Sequence, residues 1–254
     1  MNATVKDRVP HIIFLYWVIK ILATTLGETG ADMFSMTFQW GYATTLAVFM
    51  VLFLVLLVVK LLLKGYHSLA YWSTFTVSAI AGTALSDFID RTLGLGYALG
   101  SAVLVVLLGI VLALWHKKEG SIHVESITKP SVEAFYWTAF LIANTVGTAA
   151  GDFIADNLGL GFQNGAILIT ALLAVIALLH RFTKISGTLL FWLAFVFTRP
   201  FGATCGDFLT KPVAKGGIHL GTVAPSLFFC GALLFAIARE TRLEKQRAAL
   251  FPDV

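Results

Sequence analysis

The sequence predicts an all-α polytopic membrane protein: eight transmembrane helices from four tandem two-helix repeats, arranged as two parallel pseudo-symmetric halves. Three observations predict it. The chain of 254 residues is 58% hydrophobic and 13% charged, with mean hydropathy +0.85, more apolar than a soluble domain can bury. Trp17, Trp72, Trp137 and Trp192 stand 55, 65 and 55 residues apart. Each is followed ten residues later by a glycine (Gly27, Gly82, Gly147, Gly202) and fifteen later by an aspartate (Asp32, Asp87, Asp152, Asp207). A fixed period of this kind marks repeated supersecondary units. Finally, basic residues segregate between alternate loops.

Apolar windows near 11–30, 41–63, 68–88, 96–116, 132–153, 161–180, 186–206 and 219–239 each supply about the 20 residues a span needs. The first window carries the Trp-Gly-Asp frame of the other units, so it is part of the fold and not a cleaved signal peptide. One integral membrane domain over 1–254 is expected, with halves at 11–116 and 131–239. Glycine pairs after two aspartates (Gly94 and Gly96, Gly159 and Gly161), with Gly100 and Gly165, read as close helix packing in lipid. In the fourth unit Gly217 and Gly221 take this place, and His219 opens the last helix on the outer side. The other histidines fall at or beyond the opposite helix ends.

With both termini on one side, that side holds thirteen Lys and Arg, from Lys6 and Arg8 to Arg247, and the other holds Arg91, Lys211 and Lys215. The bias places both termini in the cytoplasm and the aspartates toward the outer face. Two-helix units preserve direction, so the repeats are parallel.

The chain resembles the bacterial membrane proteins made of four tandem repeats of domain of unknown function 347, from about Tyr16 to Arg239. The resemblance implies two membrane helices and one tryptophan per repeat, and a location in the bacterial cytoplasmic membrane. It implies no substrate.

Function is sought in the polar residues inside the spans. Positions 7, 11 and 15 after each tryptophan share a helix face. They read Thr24, Glu28 and Asp32; Ala79, Thr83 and Asp87; Asn144, Thr148 and Asp152; Arg199, Ala203 and Asp207. Lys20 lies one turn before Thr24. A charge at the bilayer centre costs about 2.5 kcal/mol or more, so Lys20, Glu28 and Arg199 must face a polar interior or pair. In the plainer interpretation, Lys20 or Arg199 pairs with Glu28 and the aspartates cap a new helical turn. In the functional one, Glu28, the four aspartates, Asn144, Thr24, Thr83 and Thr148 bind a solute, with Lys20 and Arg199 as counter-charges. An acid at a helix carboxyl end opposes the dipole, which favours the second.

Carboxylate, hydroxyl and amide oxygens suit protons or hard cations, and Glu28 and the aspartates are the ligands if a metal is carried. A cation-handling secondary transporter is the expectation, proton-coupled or taking a divalent metal. The alternatives are a structural membrane protein with a buried ionic network, a small-anion carrier, and an intramembrane aspartyl protease. Gly151-Asp152, Gly206-Asp207 and Pro225-Ser226-Leu227 carry the protease likeness, but Ala149 and Thr204 stand where its first motif glycine belongs. No enzymatic motif, phosphate-binding loop or nucleic-acid stripe is present, so no enzyme activity, cofactor or nucleic-acid partner is expected. Cys205 and Cys230 suggest neither disulfide framework nor metal site. The partners are membrane lipids and a small ion or polar solute, and homo-oligomerisation stays open.

Overall fold

A computed structural model describes residues 8–120, 122 and 127–250, without the side chains of 188, 192, 247, 248 and 250. Lys6, His123 and the side chains of Trp192 and Arg247 therefore lie outside the described residues. The described elements are helical: α1 (Phe14–Asp32), α2 (Gly41–Leu62), α3 (Ser68–Asp87), α4 (Gly96–Glu119), α5 (Pro130–Asp152), α6 (Gly161–Phe182), α7 (Gly187–Thr210) and α8 (Val223–Leu250). Local chemistry sets several ends. Pro130 starts α5 where its missing N–H is no loss, and left-handed Gly120 ends α4.

The four helices bearing the Trp-Gly-Asp frame, α1, α3, α5 and α7, pack in a closed cycle, each against the next and α7 back against α1. The outer helices α2, α4, α6 and α8 lie on α3, α5, α7 and α1 respectively. The frame glycines make this approach possible. A methyl added at Gly27 would stand 2.6 Å from Ala79 Cβ, and one at Gly82 2.9 Å from Asn144 Cβ. At Gly147 it would meet the Arg199 stem, and at Gly202 Thr24. Each glycine thus receives the position-7 residue of the following unit, and Gly202 of the fourth unit receives that of the first. Gly82→Val is expected to lower the thermal midpoint of the purified protein, because the nearest obstacles include backbone, and overpacking costs about 1–3 kcal/mol. Gly109→Ala, which meets nothing within 4 Å, is the control and should leave the midpoint unchanged or raised.

Aromatic residues beside the tryptophans follow the same cycle. Tyr16 lies 5.6 Å from Trp72, Tyr71 5.2 Å from Trp137, and Phe191 5.6 Å from Trp17, ring centre to ring centre. Tyr71 and Tyr136 join hydroxyls at 2.7 Å. One turn further, Phe75 packs 4.5 Å from Phe140, and Phe140 packs 5.9 Å from Phe195. Two aromatic layers thus fill the end of the inner-helix cluster nearest the basic loops.

Among the described residues six helices are long and apolar enough to cross a membrane: Gly41–Leu62, Gly96–Glu119, Pro130–Asn157, Gly161–Phe182, Leu189–Thr210 and Val223–Gln246. Of the eight expected spans, α1 and α3 fall short of that measure. The reason is their position: both are enclosed by neighbours and can carry serine, threonine and charge. The outer helices instead expose rows such as Val51, Val55, Val58 and Leu62, suited to lipid.

Three connections are corrected. After Asp32, Asp87 and Asp152 the chain makes a π-helical turn (Met33–Thr37, Phe88–Thr92, Phe153–Asn157), and none of these aspartates caps it with its side chain. Asp207 lies inside α7, so the capping interpretation fails there too. The glycine pairs are turn formers, not packing sites: Gly94, Gly96, Gly159 and Gly161 all have φ near +70° with open space or loop backbone around them. Gln39 and His219 take the first of these left-handed positions in the other two units. His219 therefore belongs to the turn, and α8 begins at Val223.

Candidate functional site: an acidic layer above a buried arginine

Inner-helix side chains form layers one turn apart. Those at positions 7, 11 and 15 are all buried, with no stripe residue more than 3% exposed. Thr24, Ala79, Asn144 and Arg199 share the first layer; Glu28, Thr83, Thr148 and Ala203 the second; Asp32, Asp87, Asp152 and Asp207 the third.

Arg199 is the centre of the lower two layers. Its Nη2 donates to Thr83 Oγ1 and Thr148 Oγ1, and it ion-pairs with Glu28 Oε2 at 3.4 Å. Thr83 also donates to Glu28, at 3.1 Å. Asn144 is set by Ser78, to which its amide donates at 3.3 Å. Thr24 is spent on carbonyls, chiefly that of Ile21 at 3.1 Å. Pro200, next to Arg199 inside α7, has no N–H to give, so the helix loses one ladder bond beside the guanidinium. The guanidinium Nε has no acceptor among the described residues.

Lys20 does not pair with Glu28, contrary to one interpretation of the sequence. Its ammonium donates to the Phe195 carbonyl at 2.9 Å and sits 3.0 Å from the centre of the Phe195 ring. The separation along α1, about 12 Å by rise, explains why. A cation over a desolvated ring is stabilised by the ring quadrupole, so Lys20 belongs to the aromatic end.

The four aspartates share two bases. Lys211 Nζ lies 2.6 Å from Asp32 and 3.2 Å from Asp207. Arg91 reaches Asp87 with Nε at 3.0 Å and Asp152 with Nη2 at 3.2 Å. Each base stands four residues after an aspartate of its own unit and bridges to a neighbouring unit. In the sequence Arg91 and Lys211 count only as outer-loop charge, although their i,i+4 spacing from Asp87 and Asp207 is the available signal. Asp152 keeps one carboxylate oxygen, Oδ1, buried without a partner among the described residues. Thr29 Oγ1 and Thr210 Oγ1 are also buried and unpartnered there.

A second ionic group has no counterpart in the sequence pattern. At the basic end Glu133 joins Arg8 and, at 2.8 Å, Lys60, and it accepts from Trp137 Nε1. Glu240 of α8 accepts from Trp72 Nε1 at 2.7 Å, Tyr66 at 2.9 Å and Ser68. Through these bonds Trp72 and Trp137 tie the inner helices to the basic end, with indoles both buried and hydrogen-bonded. Trp17 is only partly buried.

Among the described residues no group of three or more His, Cys, Asp and Glu side chains has metal-holding geometry. The aspartate carboxylates are turned to Arg91 and Lys211, so any cation at this layer must displace a base.

Fold and site together define a helical repeat protein, with helices suited to cross a membrane and its polar groups turned onto a common interior. The chain belongs to the family described as Repeat of Unknown Function (DUF347), which matches residues 15–66, 70–121, 135–186 and 190–246. No curated protein and no solved structure matches it.

Proposed function

We propose that the protein is a secondary transporter of a small cation in the bacterial cytoplasmic membrane, coupled to protons or carrying a divalent metal. All eight helices cross the bilayer in this reading, both termini are cytoplasmic, and the halves are related by rotation about the membrane normal. One observation carries the functional part. Among the described residues five buried carboxylates, Glu28 and the four aspartates, meet three bases, Arg91, Arg199 and Lys211, and Asp152 Oδ1 is left without a partner. A scaffold would gain more from matched pairs or apolar residues, since buried ion pairs are weak sources of stability. Excess acid held by tethered bases suits a cargo that competes with those bases for oxygen ligands.

The direction of access follows from the layers. Aspartates and their bases lie toward the outer face, and the aromatic layers separate Arg199 from the cytoplasmic end. Transport then alternates between release of the base bridges outside and parting of the aromatic layers inside.

The second reading, a buried network that only organises packing, draws on the bonds of Arg199 to Thr83, Thr148 and Glu28. Uptake by the purified protein in liposomes separates the two: saturable Mn²⁺, Mg²⁺ or proton flux is expected, and absence of flux for every cation tried overturns the transporter. Orientation has its own test, with Cys205 and Cys230 replaced by serine. Leu158→Cys should react with an impermeant maleimide from outside, and Lys118→Cys only after permeabilisation. Reversed labelling at either site contradicts the topology.

A further inference from the structure

The outer helices meet the inner ones near the basic end through equivalent positions, nineteen residues after the glycine at or just before the start of each: Lys60, Trp115, His180 and Glu240. Three of these close their seams. Lys60 pairs with buried Glu133, Glu240 accepts from the Trp72 indole, and buried Trp115 stacks on Phe135. His180 is exposed and closes nothing comparable among the described residues. Beside it, between α1, α6 and α7, is a cavity of about 640 Å³. Trp17, Ile21, Leu173, Ile176, Leu190 and Ala194 line its walls, and His11 and His180 stand at its edge. The Trp17 Nε1, unlike those of Trp72 and Trp137, has no acceptor among the described residues.

We infer that this cavity binds an anionic phospholipid, with an acyl chain along the apolar wall and the phosphate between His11 and His180. The volume is that of a pocket for a molecule of a few tens of atoms. Its walls offer a polar solute almost nothing, whereas its surroundings are lipid-facing: Phe14, Phe182 and Leu189 beside it are all exposed. Basic residues lie between the lining residues His180 and Gly187 in the chain. Arg181 and Lys184 follow His180 and are exposed, and among the described residues no acid lines the cavity. Basic residues at a gap between helices are the general recognition element for acidic head groups. Trp17 adds an indole donor at the level of the ester carbonyls. The site lies at the opposite end of α1 from the aspartate layer and does not depend on the transport reading.

The test is the thermal midpoint of the full-length protein in detergent, titrated with phosphatidylglycerol, with phosphatidylcholine of the same chains, and with oleate. Phosphatidylglycerol should raise the midpoint saturably, at about a tenfold lower concentration than phosphatidylcholine, the scale of one or two basic contacts. Ala177→Phe and, on a different helix, Ala194→Leu fill the cavity and should each remove the saturable rise. The His11→Ala, His180→Ala double variant should reduce the phosphatidylglycerol response to that of phosphatidylcholine. An equal response to the two lipids in the native protein, or an undiminished response in a folded filled variant, overturns the assignment. Oleate matching phosphatidylglycerol overturns the phospholipid in favour of a free fatty acid.

Discussion

Lys211→Gln is expected to lower the thermal midpoint of the metal-free protein by roughly 5–15 °C, the largest stability effect of any single substitution at the outer layer. Lys211 holds Asp32 at 2.6 Å and Asp207 at 3.2 Å, both nearly inaccessible, and its removal leaves two carboxylates facing each other. Breaking a buried pair by removing one partner costs about 3–5 kcal/mol, which for a chain of this size is a shift of that order. A divalent cation at millimolar concentration should restore most of the loss, because a ligand bound only by the folded state stabilises it by mass action. Lys211→Met, without added metal, also removes the charge but nearly keeps the lysine volume, so an equal fall in both variants assigns the loss to charge. If the midpoint falls and no cation restores it, Lys211 is a structural strut and the aspartates are not a cation layer.

Glu28→Gln is the second. Glutamine keeps an oxygen for Thr83 and for the Arg199 guanidinium, so the central network loses charge and little else. The protein should still insert and purify as a single species, with uptake in liposomes reduced to background. Loss of the Arg199 counter-charge lowers the thermal midpoint whichever reading holds, so uptake by the folded variant, and not its stability, separates transport from scaffolding. Uptake at the native rate in Glu28→Gln removes this carboxylate from the mechanism.

How much of the fold and site is legible in the sequence follows from what a repeat encodes. The Trp-Gly-Asp frame locates α1, α3, α5 and α7 and the face of each that turns inward, so every stripe residue from Thr24 to Asp207 lies where the spacing puts it. The frame glycines are legible as a repeat but not in their role: Gly27, Gly82, Gly147 and Gly202 make the close approach to the neighbouring unit, whereas Gly94, Gly96, Gly159 and Gly161, which the sequence suggests for it, form turns. Partnership across helices is not readable. Lys20 and Arg199 are both bases near Glu28 in sequence depth, yet Arg199 alone reaches it, because its stem crosses Gly147 toward the second layer while Lys20 sits among aromatic rings two turns away. Arg91 and Lys211 look like loop charges when the stripe is followed only to the aspartate. One more step of four residues reaches both. Glu133 and Glu240 are hidden differently: each lies outside the frame, at the basic end, and only the fold brings Lys60 and Trp72 against them. The π-helical turns leave no single-residue mark, so the aspartates there look like caps.

The sign of the cargo is the central claim, and Arg199 decides it. Calorimetric titration of the native protein and of Arg199→Gln with Mn²⁺, Mg²⁺ and a panel of small anions is the direct measurement. Loss of the tethered competitor should tighten cation binding by about tenfold, equivalent to about 1.4 kcal/mol, and slow cation release. Anion binding that is present in the native protein and disappears with Arg199 would contradict the account and make the guanidinium, whose Nε has no partner among the described residues, the ligand for an anion.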